Sequence, residues 1–317
     1  MDEIFPRESA ERPQPFTGER LTSALSGQTQ IEHYHRYLFA RALCGDLDVL
    51  DVASGEGYGS AQLAQVARSV VGVEYDHETV QSAQSNFPRP NLTFMQGDAR
   101  DLPFADASVD AVVSFETIEH FDRQEDFVSE VFRVLRPDGR FIVSTPDREV
   151  YSPPGSTPNP FHVRELTRAE FIALLHRHFA NVAILTQRPM LGSVLLTDTP
   201  TAAAPLVFER LGQTRFTRGT TLPNAPYLVA VASNAPLPAL PDSLFIDRSD
   251  LDTDSLAAET LRAQRDEANH RAAAAEAEKN AANDRAAAAE AERNVLAGSL
   301  RQFLRAYWPR LKRHLFG

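Results

Sequence analysis

The chain has 317 residues, 43% of them hydrophobic, which is enough for one or two domains with a sizeable core. Its formal net charge of −11 argues against a protein that coats nucleic acid, so no nucleic-acid partner is expected. A single cysteine, Cys44, excludes an intrachain disulfide framework and fits a reducing compartment. The first residues lack the pattern of a signal peptide, and no apolar run reaches the roughly 20 residues of a membrane span. We therefore expect a cytoplasmic protein, free or peripheral at the inner face of the membrane.

Strand and helix patterns alternate through the first two thirds of the chain. A polar arm over residues 1–27 precedes a helical pattern that begins at Gln28. Five short apolar runs that end in glycine, proline or an acid predict buried strands, in DVLDVA, SVVGVEYD, NLTFMQGD, SVDAVVSFE and RFIVSTP. The alternation predicts an α/β domain over 28–233 with a mostly parallel, doubly wound sheet. The proline-rich residues 147–163 interrupt the pattern, and we expect them to lack regular structure and to act as a lid or binding loop.

The last third of the chain differs in composition. Prolines over residues 234–250 indicate a linker. Residues 251–298 are alanine-rich and repeat RAAAAEAE after 14 residues, which predicts a coiled coil that makes a homo-oligomer, with a single solvated helix as the alternative. Residues 299–317 combine five basic residues with apolar and aromatic ones and contain no acid. They predict an amphipathic helix for a membrane surface or a partner glycosyltransferase, unless it docks on its own globular domain.

The glycine-rich stretch VLDVASGEGYGS predicts a ligand loop at the end of the first strand. Its glycines allow a ligand to approach the backbone, but their spacing differs from the G-x-G-x-x-G of a dinucleotide loop. Asp51 brings negative charge that would repel a phosphate. Glu74, at the end of the second strand, can accept both hydroxyls of a ribose, and Asp98, after the third, can accept an adenine amino group. Two acids without a phosphate cradle indicate S-adenosylmethionine, with a nicotinamide-binding domain as the weaker alternative.

These residues resemble those of the class I methyltransferases, from about residue 43 to 179 and more loosely to 233. One departure is Ala53, which stands where the family usually has the first glycine of the loop. The resemblance implies a seven-stranded sheet with an antiparallel last hairpin. It also implies a set of residues around S-adenosylmethionine, namely Asp51, Ala53, Gly55, Gly57, Glu74, Tyr75, Asp98, Ala99 and Ser114.

Two further segments narrow the resemblance. FTGERL (Phe16–Leu21) and NPFHV (Asn159–Val163) look like segments of bacterial methyltransferases encoded with glycan-assembly enzymes. A methyltransferase body followed by a coiled coil and an amphipathic tail also resembles enzymes that cap lipopolysaccharide O-antigen chains, although the kinase domain that many of those carry is missing. The implied activity is O-methylation of a saccharide acceptor, either a surface glycan or a nucleotide- or lipid-linked sugar. Alternatives are a methyltransferase for a phenolic or quinone-like metabolite, and a cofactor-binding scaffold that acts through its coil and tail.

The stretch FETIEH (Phe115–His120) follows the fourth strand, beside the expected methyl group. On a helix, Glu116, Glu119 and His120 would share one face and could bind Mg²⁺ or Mn²⁺. The spacing resembles the E-x-x-E-H of ubiquinone-pathway and small-RNA 2′-O-methyltransferases. A further histidine follows the fifth strand in the latter, and His162 is its counterpart here.

These four residues leave several kinds of chemistry open. A metal held by them would activate an acceptor hydroxyl. Without a metal, His162 or His120 would act as the general base, with Glu116 as a further catalytic candidate. The remaining alternative is that they only bind substrate or pack.

Overall fold

The computed structural model describes residues 28–190, 194–195, 205–211, 215–246, 293, 295–302, 305–306 and 312. The chain divides into two compact units, Met1–Ile246 and Asp247–Gly317. The predicted arm, most of the predicted coiled coil and much of the basic tail lie outside the described residues. Residues 295–302 of the second unit are helical. Within the described ranges, no helix combines the length and apolar character needed to cross a bilayer.

A seven-stranded sheet organises the first unit, in the order β3-β2-β1-β4-β5-β9-β6. Strands β1 to β5 run parallel, whereas β9 lies between β5 and β6 and is antiparallel to both. The sheet strands are β1 (Asp48–Val52), β2 (Ser69–Glu74), β3 (Leu92–Gln96), β4 (Val109–Phe115), β5 (Leu135–Pro146), β6 (Asn181–Gln187) and β9 (Tyr227–Ser233). This arrangement confirms the predicted doubly wound sheet with its antiparallel last hairpin.

The helices flank the sheet on both faces. They are α1 (Gln28–Arg41), α2 (Tyr58–Leu63), α3 (His77–Asn86), α4 (Gln124–Val134), α5 (Arg148–Tyr151) and α6 (Arg168–Leu175). Thr167 caps the start of helix α6: its side chain accepts from the Glu170 backbone while the Glu170 carboxylate accepts from the Thr167 backbone. The short α5 corrects the expectation that residues 147–163 lack regular structure. Asp147 caps one helical turn there, because the prolines that prevent a helix begin only at Pro153.

Two features of the first unit were not expected. A separate hairpin of β7 (Val207–Arg210) and β8 (Phe216–Gly219) stands between β6 and β9. Residues 234–246, within the predicted linker, have no regular structure, yet Leu237 and Leu240 pack against the core.

The core consists of two apolar clusters, one on each face of the sheet. Neighbouring residues of the central β4 alternate between them, with Val112 in one cluster and Val113 in the other. Both residues are fully buried, as in a parallel sheet covered by helices on both faces. Helices therefore occupy the two faces, and the carboxyl edge of the strands remains as the place for a ligand.

Candidate active site

The glycine-rich loop after β1 adopts the backbone that its sequence predicts. Ala53, Gly55 and Gly57 have φ angles of 61°, 55° and 87°. Glycine adopts this left-handed region readily, whereas alanine pays a steric penalty of about 1–2 kcal/mol. A side chain at Gly57 would also bring its Cβ to 2.6 Å from the Phe94 ring. Substitution of this glycine would therefore distort the loop at the carboxyl end of β1.

Asp51, at the end of β1, is a fully buried acid. Ser60 Oγ donates to its Oδ2 over 2.6 Å, and Tyr37 Oη donates to its Oδ1 over 3.2 Å. Burial raises the pKa of Asp51 to about 7, although both hydrogen bonds act to lower it. This carboxyl group therefore changes its charge close to neutral pH.

Glu74 and Tyr75 stand at the end of β2, next to the same loop. The Glu74 carboxylate accepts from the Gly55 backbone over 3.0 Å and from the Asp76 backbone over 3.1 Å. This contact places the predicted ribose acid against the predicted ligand loop. The Tyr75 side chain is 72% exposed, so its ring is open to a planar ligand.

Asp98, predicted to accept from an adenine, is already paired. Arg100 forms a two-pronged contact with it, with Nε 3.0 Å from Oδ1 and Nη2 2.8 Å from Oδ2. These bonds lower the pKa of Asp98. Ala99, between the two, is buried. Arg100, which occupies both oxygens of this carboxylate, was not predicted from the sequence.

Ser114, on β4, supplies a polar atom that lacks a protein partner. Its Oγ is buried and makes no hydrogen bond. A buried hydroxyl without a partner destabilises a fold by about 1–3 kcal/mol. A polar cofactor would give this hydroxyl a partner, and the acids Asp51 and Glu74 at the same edge of the sheet favour a positively charged cofactor over a phosphate. The residues present thus fit S-adenosylmethionine.

The structure arranges FETIEH differently from the predicted helical face. Glu116 has a φ of 51°, and only a 3-10 turn, Ile118–His120, follows it. The Glu116 carboxylate accepts from Ser144 Oγ over 2.6 Å and lies 3.2 Å from Arg36 Nη1. The reversed backbone at Glu116 thus separates its side chain from the two metal candidates that follow it.

Glu119, His120 and His162 do come together. Each offers one metal-ligating atom, and these atoms lie within 4.8 Å of one another. Glu119 is fully buried, and its Oε1 makes no hydrogen bond. Burial raises the pKa of Glu119 well above the usual range, and the Glu116 charge adds to this shift. The backbone N–H groups of Val163 and Arg164 donate to the Glu119 carbonyl over 2.9 and 3.0 Å, which holds the loop of His162 against the 3-10 turn.

His162 has a carboxylate partner that the sequence analysis missed. Its Nδ1 lies 2.6 Å from Glu165 Oε1, and its Nε2 lies 3.0 Å from Asn159 Nδ2. Since an amide nitrogen donates, Nε2 accepts and Nδ1 carries the proton. Tyr151 stacks on the ring, with centroids 5.5 Å apart. The spacing of three residues between His162 and Glu165 was the available signal.

Arg36 of α1 is a second residue that the sequence analysis missed. Its side chain is only 1% exposed, its Nε donates to Gln187 Oε1 over 2.6 Å, and its Nη2 makes no hydrogen bond. The guanidinium lies 4.6 Å from the centroid of the Tyr227 ring. It therefore joins α1 to the ends of β6 and β9 and, through Glu116, to the end of β4.

Comparison with known proteins identifies related sequences. A family model described as a methyltransferase domain matches residues 50–143. The chain is 46% identical over 164 residues to a probable S-adenosylmethionine-dependent methyltransferase of Mycolicibacterium smegmatis, covering 51% of this chain and 63% of that protein. It is 34% identical over 124 residues to a fatty-acid O-methyltransferase of the same species, covering 37% and 45%. The match thus spans less than two thirds of the length of these curated relatives.

A solved structure is also similar. It is an S-adenosylmethionine-dependent methyltransferase of Thermotoga maritima, described as a possible histamine N-methyltransferase, with a TM-score of 0.47 and 17% identity over 65% of this chain and 90% of that one.

Proposed function

We propose that this chain, which carries a class I S-adenosylmethionine-dependent methyltransferase domain, methylates a hydroxyl group of a saccharide. The observation that carries the proposal is the pairing of His162 with Glu165 beside Glu119 and His120, since a hydroxyl acceptor needs a base. In this proposal the cofactor is held by the nine residues that the resemblance implied, from Asp51 to Ser114.

The cofactor supplies an electrophilic methyl group when it is bound. An acceptor oxygen that took this methyl group from sulfur would have to lose its own proton. His162 Nε2 takes this proton, since the Glu165 carboxylate holds the other proton of the ring on Nδ1. Asn159 Nδ2 donates to Nε2 in this structure, and the acceptor hydroxyl would take its place.

The character of the surrounding side chains supports a polar acceptor. Tyr151, Tyr227, Asn159, Arg36 and Glu116 combine ring faces with hydrogen-bonding groups. Rings and paired donors and acceptors suit the faces and hydroxyls of a sugar. The resemblance of NPFHV to a segment of glycan-assembly methyltransferases also supports a saccharide acceptor.

A divalent cation is the alternative to a histidine base, because His162 Nε2 cannot bind a metal and take a proton at once. Glu119, His120 and His162 would hold it, while Glu116 is engaged by Arg36 and Ser144. Two imidazoles with one carboxylate suit Mn²⁺ better than Mg²⁺, which prefers oxygen ligands. Such an ion would lower the pKa of an acceptor hydroxyl. Electron paramagnetic resonance of added Mn²⁺ tests the site directly: Glu119→Gln should abolish the bound signal, while Glu116→Gln should retain it.

A second candidate acceptor is a carboxylic acid, favoured by the name of the fatty-acid O-methyltransferase relative. A carboxylate is ionised at neutral pH and needs no base. The two candidates therefore differ in how strongly the rate depends on His162. For a phenolic or quinone-like metabolite, the dependence of the rate on His162 should be intermediate, because a phenol ionises more readily than a sugar hydroxyl.

The experiment is transfer of label from S-[methyl-³H]adenosylmethionine to nucleotide sugars, free oligosaccharides, palmitate and catechol. Label in a saccharide that His162→Ala reduces at least about 100-fold supports the proposal. Label in palmitate that is insensitive to this change favours the second candidate. Cofactor binding without any transfer favours a scaffold, which would act through the predicted oligomeric coil at 251–298 and the predicted membrane- or glycosyltransferase-binding tail at 299–317.

A further inference from the structure

Exposed apolar side chains are concentrated in the stretch that joins β6 to β9. Among the residues that the structure describes, seven of the sixteen large exposed apolar side chains lie between Met190 and Phe216. Contiguous apolar patches with polar rims are uncommon on soluble monomers and mark contact surfaces for proteins or membranes. Four of the seven, Leu206, Phe208, Leu211 and Phe216, lie in the β7–β8 hairpin or directly beside it.

The hairpin has two chemically different faces. Phe208 pairs with Arg218 and Arg210 pairs with Phe216 across the two strands. Directly opposed residues, and residues two apart, share a face of a sheet. The outer face therefore consists of Phe208, Arg210, Phe216 and Arg218, with the two rings 65% and 63% exposed.

The inner face fixes the hairpin to the domain. Glu209 Oε1 lies 2.9 Å from Arg188 Nη1, just after the end of β6. The same Nη1 donates to the Pro223 carbonyl over 2.8 Å. These contacts hold the inner face inward, so the outer face points away from the domain.

The outer face is locally basic on an acidic chain. Within 205–211 and 215–220 the cations are Arg210, Arg215 and Arg218, and the sole acid, Glu209, is on the inner face. The whole chain carries a net charge of −11. The basic character is therefore confined and complementary to an anionic surface.

We propose that the outer face of the β7–β8 hairpin docks on an anionic lipid surface. The arginines contact lipid phosphates, and the two phenylalanine rings enter the interface between headgroups and acyl chains. Leu206 and Leu211, 58% and 42% exposed, flank the rings. Burial of these aliphatic side chains among acyl chains stabilises binding to lipid, whereas they cannot stack on nucleic-acid bases. The occupant is therefore lipid and not a nucleic acid. This surface is distinct from the predicted basic tail and does not depend on the proposed reaction.

The test uses the full chain and vesicles of phosphatidylcholine with 30% phosphatidylglycerol. The protein contains one tryptophan, Trp308, so the double change Trp308→Phe and Phe208→Trp leaves a single indole in the hairpin. Brominated lipids should quench this indole and its emission should shift to the blue. If only the tail binds, the protein sediments with vesicles while the indole stays unquenched, and the proposal is overturned.

The contributions of the arginines and of the phenylalanines are tested separately, by sedimentation with the same vesicles. Arg210→Gln with Arg218→Gln should lower partitioning about 25-fold, at roughly fivefold per arginine, and pure phosphatidylcholine should bind weakly. Phe208→Ser with Phe216→Ser should lower partitioning at least tenfold, whereas the control Phe132→Ser, on α4, should leave it unchanged. All variants are checked by circular dichroism. Equal partitioning of the hairpin variants and the parent chain, or binding to a DNA duplex in place of vesicles, would refute lipid docking.

Discussion

The cofactor end and the acceptor end of this site are built in different ways. At the cofactor end, partners are close in sequence: Ser60 is nine residues from Asp51, and Arg100 is two from Asp98. At the acceptor end, the partners of His162 are three residues away on either side, but Gln187 lies 151 residues from Arg36, and Thr145 lies 26 from Glu119. The cofactor end is thus set mainly by short motifs at strand ends, whereas the acceptor end also needs segments that are far apart in sequence. We expect the cofactor end to tolerate substitution less, because its residues act on one fixed ligand.

The strongest test of the cofactor end is Asp51→Ala. Loss of the carboxylate removes a charge next to a cationic ligand and leaves Ser60 and Tyr37 without their acceptor. Calorimetry should show that the affinity for S-adenosylmethionine falls by about 100-fold, because a hydrogen bond to a charged group is worth roughly 1.5–3 kcal/mol. The control is Asp106→Asn, a surface acid paired with Arg133. Unchanged affinity in a folded Asp51→Ala protein would remove Asp51 from the cofactor site.

The acceptor end is tested by His162→Ala, with Glu165→Gln as the graded variant. Loss of a general base should lower kcat by about 10²-fold, and loss of its orienting carboxylate by less. Cofactor affinity should be unchanged in both, since His162 belongs to the other end. His176→Ala, at the C-terminal cap of α6, is the matched control. If Glu165→Gln leaves the pH profile of kcat unchanged, Glu165 does not position the base.

The sequence predicted the two ends unequally, for a physical reason. Asp51 and Glu74 follow apolar runs with turn signals, so strand periodicity alone places both acids at one edge of a parallel sheet. The geometry of FETIEH could not be read in this way. A helix was assumed, but the φ of 51° at Glu116 turns its carboxylate towards Arg36, which is 80 positions earlier in the chain. Arg36 was missed because its role arises from tertiary contacts. Glu165 was missed although its spacing from His162 was visible in the sequence, and the β7–β8 hairpin was missed because each strand has only four residues.

A smaller effect at the cofactor end concerns pH. The folded pKa of Asp51 is raised by burial from 3.8 to about 7. A cationic ligand favours the ionised form, so affinity for S-adenosylmethionine should rise about tenfold from pH 6 to pH 8 and level off above that. Asp51→Asn should remove this slope. A parallel slope in both proteins would assign it to another group.

The raised pKa of Asp51 has the opposite effect on folding stability, which falls as pH rises. Because the folded state holds the Asp51 proton more tightly than the unfolded state, this residue favours folding most below pH 4. That contribution is lost as pH rises through about 7. The melting temperature of the unliganded protein should therefore fall as pH rises over this window, and it should fall less in the Asp51→Asn variant.

The smallest expected effect is that of Arg100→Gln, which tests whether Asp98 serves the adenine. Arg100 and Asp98 are 37% and 32% exposed, and such pairs are worth about 0.2–1 kcal/mol. If the pair competes with the ligand, its removal should strengthen S-adenosylmethionine binding by about two- to fivefold. Arg123→Gln, which breaks a surface pair with Asp126, is the control. The Arg100 guanidinium also lies 5.4 Å from the centroid of the Phe121 ring. Weaker binding after Arg100→Gln would therefore mean that Arg100 lines the adenine site and does not compete with adenine for Asp98.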